Sequence, residues 1–255
     1  MKEFRHRCLD REMLVGAFAA IPHPVGVEVL ALAGPDFLCI DWEHSQMGRD
    51  TVETMLRAAD CHRVPAIVRV PGHAPEPIAA ALDGGAAGVL VPRVSTAAQA
   101  AAAVKAIRYP PAGERGVGPG RAAGYGYRIF DHLAVANDRT LAAVQIETAE
   151  GLANAAAIAG TEGIDLVFIG PGDLSVSIGA LGADGAARLG EAIGTVIAAA
   201  RAADRPVGIF CATPEDARRW LGSGISLVIL SSDAMFLGGA AASAFKAARD
   251  GPETS

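Results

Sequence analysis

Eight short apolar runs, each followed by an Ala- and Leu-rich stretch of helical spacing, constrain the fold of this 255-residue chain more than any other feature. The runs read as strands over residues 14–19, 37–41, 66–70, 88–91, 142–147, 166–169, 207–210 and 227–230. Both faces of each run are apolar and the runs are short, the pattern of parallel strands covered on two sides. Helical patterns follow over 26–32, 50–62, 75–83, 96–107, 149–159, 186–203, 214–221 and 234–249. Thr96 and Asp233 are candidate N-caps, and Thr213-Pro214 is an N-cap with proline at the first helical position. Eight such units in this length predict one (β/α)8 TIM barrel over residues 1–255, with its core at about 12–250. An open doubly wound sheet is the rival, because alternation alone does not separate the two.

Composition narrows the partners. The formal net charge is −6, which argues against a nucleic-acid or anionic-membrane partner. No apolar stretch reaches membrane-span length without a charge or a glycine. Cys8, Cys39, Cys61 and Cys211 are scattered and form no CxxC pair, as in a reduced cytoplasmic protein. The charged amino terminus lacks the apolar region of a signal peptide.

One segment interrupts the alternation. Residues 109–121, with Pro110, Pro111 and Pro119, lead to Tyr125-Gly126-Tyr127 and a short helical stretch. Gly118-x-Gly120 imitates a dinucleotide fingerprint, but no strand feeds into it. The expectation is an ordered loop beside the active rim, bearing Arg115 and Arg121.

In a barrel, chemistry sits at the carboxyl ends of the strands. Those positions give Asp41, Glu43, His44, Arg69, Arg93, Glu147, Asp173, Cys211 and Ser231. Singly, each has an ordinary explanation as a cap, an ion-pair member or a packed polar residue. Together they point further. Glu147 and Asp173 end consecutive strands, about 5 to 10 Å apart at one rim, which suits two oxygen ligands of one hard divalent ion. Asp41-x-x-His44 can set a carboxylate against an imidazole and raise its basicity. Arg69, facing a barrel mouth, suits a developing oxyanion or a substrate carboxylate. The set fits proton removal next to a carbonyl.

These residues lie in longer motifs: Ile40-Asp41-Trp42-Glu43-His44, Val68-Arg69-Val70-Pro71, Leu82-Asp83-Gly84-Gly85-Ala86, Arg108-Tyr109-Pro110-Pro111 with Arg115-Gly116, Gln145-Ile146-Glu147-Thr148 and Gly170-Pro171-Gly172-Asp173-Leu174-Ser175. In that order, from about Leu14 to Phe236, the chain resembles the HpcH/HpaI family of class II, metal-dependent pyruvate aldolases. The resemblance implies a pyruvate-type barrel assembled as a hexamer, with the last helix exchanged between neighbours. It implies Mg²⁺, Mn²⁺ or Co²⁺ on Glu147 and Asp173, and no organic cofactor. His44 paired with Asp41 would be the base and Arg69 the enolate stabiliser, with Gln145, Gly172 and Asp173 around the keto acid. The implied reaction is reversible cleavage of a 2-keto-4-hydroxy acid to pyruvate, or hydroxypyruvate, and an aldehyde. Alternatives are a CoA-thioester lyase of the citrate lyase β-subunit type, an oxaloacetate decarboxylase, and a barrel without catalysis. Ser45-Gln46-Met47-Gly48 and Arg93 depart from the family pattern and border the aldehyde side.

Overall fold

The computed structural model describes residues 3–182 and 185–249. Eight parallel strands close in chain order, β1 to β8, into one barrel. They are β1 (Leu14–Ala19), β2 (Phe37–Asp41), β3 (Ala66–Arg69), β4 (Gly88–Val91), β5 (Leu141–Ile146), β6 (Leu166–Ile169), β7 (Val207–Cys211) and β8 (Leu227–Ser232). The last pairs with β1 in parallel and so excludes the open sheet.

Side chains alternate across this wall, as strand geometry requires. One parity points outward: Leu38, Ile40, Val68, Val144 and Val167 pack under the helices. The other fills the barrel: Phe37, Cys39, Ile67, Leu141, Ala143 and Phe168 are buried together. The two large rings fit because their neighbours lack side chains. A Cβ on Gly16 would lie 2.7 Å from the Phe37 ring, and one on Gly208 2.7 Å from the Phe168 ring. Continuing the inward parity by one step past these core residues gives Asp41, Arg69 and Gln145. Two residues on from Gln145 lies Glu147. Every one of these polar groups therefore emerges at the carboxyl end of the barrel.

The surrounding helices are α2 (Pro24–Leu32), α3 (Arg49–Cys61), α4 (Pro75–Asp83), α5 (Ala97–Ile107), α6 (Ile129–Arg139), α9 (Pro171–Ser177), α10 (Gly185–Ala202), α11 (Pro214–Leu221) and α12 (Asp233–Arg249). The expected helix over 149–159 is broken at Asn154 into α7 (Ala149–Ala153) and α8 (Ala155–Ala159). Asn154 leaves helical geometry, and its side-chain amide donates to the Ser95 carbonyl at 2.8 Å. A helix absent from the sequence reading, α1 (Phe4–Leu9), closes the amino end of the barrel. Its Phe4 ring lies 5.2 Å from that of Phe37.

The 109–128 segment lies elsewhere than expected. Arg115 bonds Asp83 at the end of α4, and Arg121 bonds the Gly84 carbonyl and Asp60. Both anchors sit at the amino end of the barrel, so the loop is on the opposite side from the active rim. Among the described residues no helix is long and apolar enough to cross a membrane.

Candidate active site

Polar side chains at the carboxyl mouth border a cavity of about 260 Å³, with Asp41, His44, Arg69, Gln145, Gly172 and Asp173 in its walls. Phe18, Phe168 and Phe210 supply apolar wall, and Met235 reaches in from α12. The sequence reading missed these four. Phe18, Phe168 and Phe210 are legible afterwards as inward positions of β1, β6 and β7, whereas nothing local signals Met235.

Asp41 and Arg69 are directly opposite each other in the β2–β3 register. The guanidinium donates through Nε to Asp41 Oδ1 at 2.9 Å and through Nη2 to Oδ2 at 2.7 Å. This two-pronged pair is buried, and Arg69 also stacks 4.3 Å from the Phe18 ring. It fixes the guanidinium plane, as such forks do. Among the described residues Nη1 has no acceptor, and it is the edge left for another oxygen.

That pairing corrects the expected role of Asp41. Its carboxylate accepts the His44 backbone amide at 3.3 Å, not the imidazole. The imidazole faces Glu43, with Nε2 3.6 Å from Oε2. The same Oε2 lies 3.4 Å from Arg69 Nε and is buried without a hydrogen bond. Burial first, and then neighbouring carboxylates, push Glu43 above its ordinary range, against the pull of Arg69 and His44. The loop carrying both residues is tied back by Trp42 Nε1, which donates to the Met47 carbonyl at 2.9 Å.

Glu147 follows β5 and is 2 % exposed. One oxygen accepts the Arg93 backbone amide at 2.8 Å, and the other accepts the Gln145 side-chain amide. Arg93 has φ +53, a conformation costly for a residue with a Cβ, and its role here is through that amide. Burial raises the Glu147 carboxyl from 4.5 to about 7, with the Glu43 and Asp173 charges adding to the rise and the two amides opposing it. Gln145 Oε1 is buried with no donor. A Cβ on Gly170 would lie 2.6 Å from Gln145 Nε2, so only glycine lets β6 approach this cluster. Asp173 stands in the first turn of α9, after Gly170 and Pro171.

The donor set fits a hard cation. Glu43, Glu147 and Asp173 repel one another across the mouth, and the unpartnered oxygens of Glu43 and Gln145 are acceptors only. Among the described residues no three His, Cys, Asp or Glu side chains form a closed cage. A two-carboxylate site leaves the remaining positions to water and substrate, as is usual for hard divalent ions in catalysis. Cys211 is buried in the core under the helices, with its thiol pushed up to about 12, chiefly by burial. Ser231 is buried at φ +58, and its neighbour Ser232 lines the cavity.

Residues 14–238 match the HpcH/HpaI aldolase/citrate lyase family. A 5-keto-4-deoxy-D-glucarate aldolase of Klebsiella pneumoniae is 38 % identical over 231 residues, 91 % of this chain and 90 % of that protein. The protein of the same name from Escherichia fergusonii is 37 % identical over the same shares. Among solved structures, an HpcH/HpaI aldolase/citrate lyase family protein from Burkholderia cenocepacia superposes with a TM-score of 0.91 at 37 % identity, covering 96 % of this chain and 98 % of that one. A macrophomate synthase superposes with a TM-score of 0.84 at 28 % identity, covering 97 % and 91 %.

Proposed function

As a member of the HpcH/HpaI aldolase/citrate lyase family this chain is a carbon–carbon lyase of small molecules that works with a divalent metal ion, and we propose that it reversibly cleaves a 2-keto-4-hydroxy acid to pyruvate, or hydroxypyruvate, and an aldehyde. The relatives named 5-keto-4-deoxy-D-glucarate aldolase support a sugar-acid substrate. The observation that carries the reading is Glu147: a buried carboxylate crowded by two others, with no ion pair to a basic side chain among the described residues.

Glu147 and Asp173 are the residues that would hold Mg²⁺, Mn²⁺ or Co²⁺. When bound, the ion polarises the keto group and offsets the charge that develops there. The chain does the rest. The exposed amides of Gly172 and Asp173 at the start of α9 receive the substrate carboxylate. Arg69 Nη1 donates to the keto oxygen, and the Asp41 clamp means this donor needs no reorganisation as charge grows. The imidazole of His44 takes the proton of the 4-hydroxyl as the bond between C3 and C4 breaks. The electron pair of that bond passes to the enolate, and the same proton returns to C3 to give the methyl group of pyruvate. Glu43, not Asp41, is the carboxylate that faces this imidazole. Phe18, Phe168 and Phe210 exclude water from the reacting carbons.

A CoA-thioester lyase needs basic surface beside the mouth for its nucleotide handle, and the arginine-rich surface of this chain lies at the other end of the barrel. The intact carboxylate set speaks against a barrel without catalysis.

A homo-oligomer, by resemblance a hexamer, accounts for α12. Only Asp233 of this helix is buried; Leu237 is 65 % and Phe245 62 % exposed. Such a face on an otherwise unpacked helix favours exchange onto a neighbouring copy. The four free thiols favour a reducing, cytoplasmic setting.

The reading is tested by chelation. Pyruvate formation is expected to cease in EDTA and to return with Mg²⁺, Mn²⁺ or Co²⁺. Full activity in chelator would overturn it, and oxaloacetate offered as an alternative substrate reports any decarboxylation through the same enolate.

A further inference from the structure

The 109–128 loop, which the lyase reading leaves unused, roofs a cavity of about 880 Å³ at the amino end of β3, β4 and β5. That volume suits a small-molecule ligand. Six arginines line it, Arg57, Arg63, Arg115, Arg121, Arg128 and Arg139, against the acidic residues Glu3 and Asp60. In a chain of net charge −6 this is a strong local reversal of sign.

Four of the six have carboxylate partners: Arg57 with Glu53, Arg115 with Asp83, Arg121 with Asp60 and Arg139 with Glu3. Arg63 and Arg128 have none among the described residues, so two positive charges in the lining are uncompensated. Arg115 adds an independent sign of a missing partner. It is 4 % exposed, held 2.6 Å from Asp83 Oδ1 and stacked 4.5 Å from the Tyr109 ring, yet its buried Nε has no acceptor. The wall is also built under strain: Tyr125 sits at φ +56, and its hydroxyl accepts from Arg57 Nη2 at 2.6 Å.

We propose that this cavity is a second binding site, separate from the catalytic mouth, for a small dianion whose oxygens accept from Arg63 and Arg128 over the Arg115 floor. Guanidiniums present paired donors that match phosphate and carboxylate alike, so the shared chemistry is a doubly charged oxyanion. Its source is a phosphate group or a dicarboxylate. The site faces away from the mouth, and an anion there does not compete with the keto acid. The proposal stands independently of the lyase reading.

Isothermal calorimetry of the full chain in metal-free buffer tests it, with inorganic phosphate and malonate as separate probes. At least one probe is expected to bind at one per chain. Replacing both exposed arginines (Arg63→Ala with Arg128→Ala) should weaken that binding at least tenfold. Saturating pyruvate, or the active-site variant Arg69→Lys, should leave it unchanged. Which probe binds identifies the phosphate or the dicarboxylate as the source. Binding by neither probe tighter than about 10 mM would overturn the site. So would binding that the double variant retains, or that pyruvate or Arg69→Lys abolishes, since the anion would then occupy the mouth.

Discussion

Buried charge is handled in opposite ways at the two ends of the barrel. At the amino end, Asp165 is 3 % exposed and every oxygen is engaged. Arg108 donates to it at 2.6 Å, Arg5 at 2.8 Å and the Ala142 amide at 2.8 Å, while Arg108 also donates to the Asn137 carbonyl at 2.9 Å. At the carboxyl end, Glu147 is as deeply buried but has carboxylates as its charged neighbours, and Glu43 Oε2 and Gln145 Oε1 have no donor. The first arrangement ties α1, the 108–109 turn and β5 together and leaves neither Asp165 oxygen without an arginine donor, although Arg5 Nε has no acceptor. The second is complete only when something positive is added. A buried carboxylate paired with arginines marks structure here, and one crowded by other carboxylates marks function.

Variants that act at one end only can break this contrast. His44→Ala should slow exchange of the pyruvate methyl protons with deuterated water by about 10²- to 10⁴-fold, the usual contribution of a general base. Metal affinity should stay unchanged. NMR follows the exchange, and parental rates would remove His44 as the base. Asp165→Ala leaves Arg108 buried without its partner and should cost about 3–5 kcal/mol of stability. Urea denaturation reads the loss; a shift in metal affinity of the folded variant would contradict the separation of the two ends.

The pH dependence of the metal-free chain sharpens the same contrast. The Glu147 carboxyl is raised in the folded chain, from 4.5 to about 7. The folded state therefore holds this proton more tightly, and its contribution is intact below pH 4.5. Stability should fall as pH rises from there through 7, by up to about 3 kcal/mol in all, and then level off. Saturating Mn²⁺ should remove the decline. Denaturation midpoints at pH 5 and 8, with and without the ion, provide the check. The smallest effect is expected from Glu43→Gln, which takes one like charge from beside Glu147. It should recover less than about 1 kcal/mol of that loss, and an unchanged midpoint at pH 8 would show that Glu43 and Glu147 do not interact.

The barrel was legible because short runs apolar on both faces alternate cleanly with helical patterns, and the polar mouth because Asp41, Arg69 and Glu147 interrupt apolar runs at their ends. The partner of each polar group was not legible. Asp41 has His44 three residues away, but the β2–β3 register sets Arg69 opposite it, and a long-range pairing of that kind leaves no local trace. The destination of the 109–128 loop was hidden for the same reason, being fixed by Asp60, Asp83 and Gly84, far back in the chain. The Phe4 plug depends on an apolar opening that exists only once the barrel closes.

Metal affinity at the carboxyl mouth tests the central claim most directly. Mn²⁺ titrated into the metal-free chain, followed by electron paramagnetic resonance, should bind at one ion per chain. Glu147→Gln and Asp173→Asn should each lose about 10²-fold or more in affinity while keeping the parent's circular dichroism. Parental affinity in both variants would contradict the account.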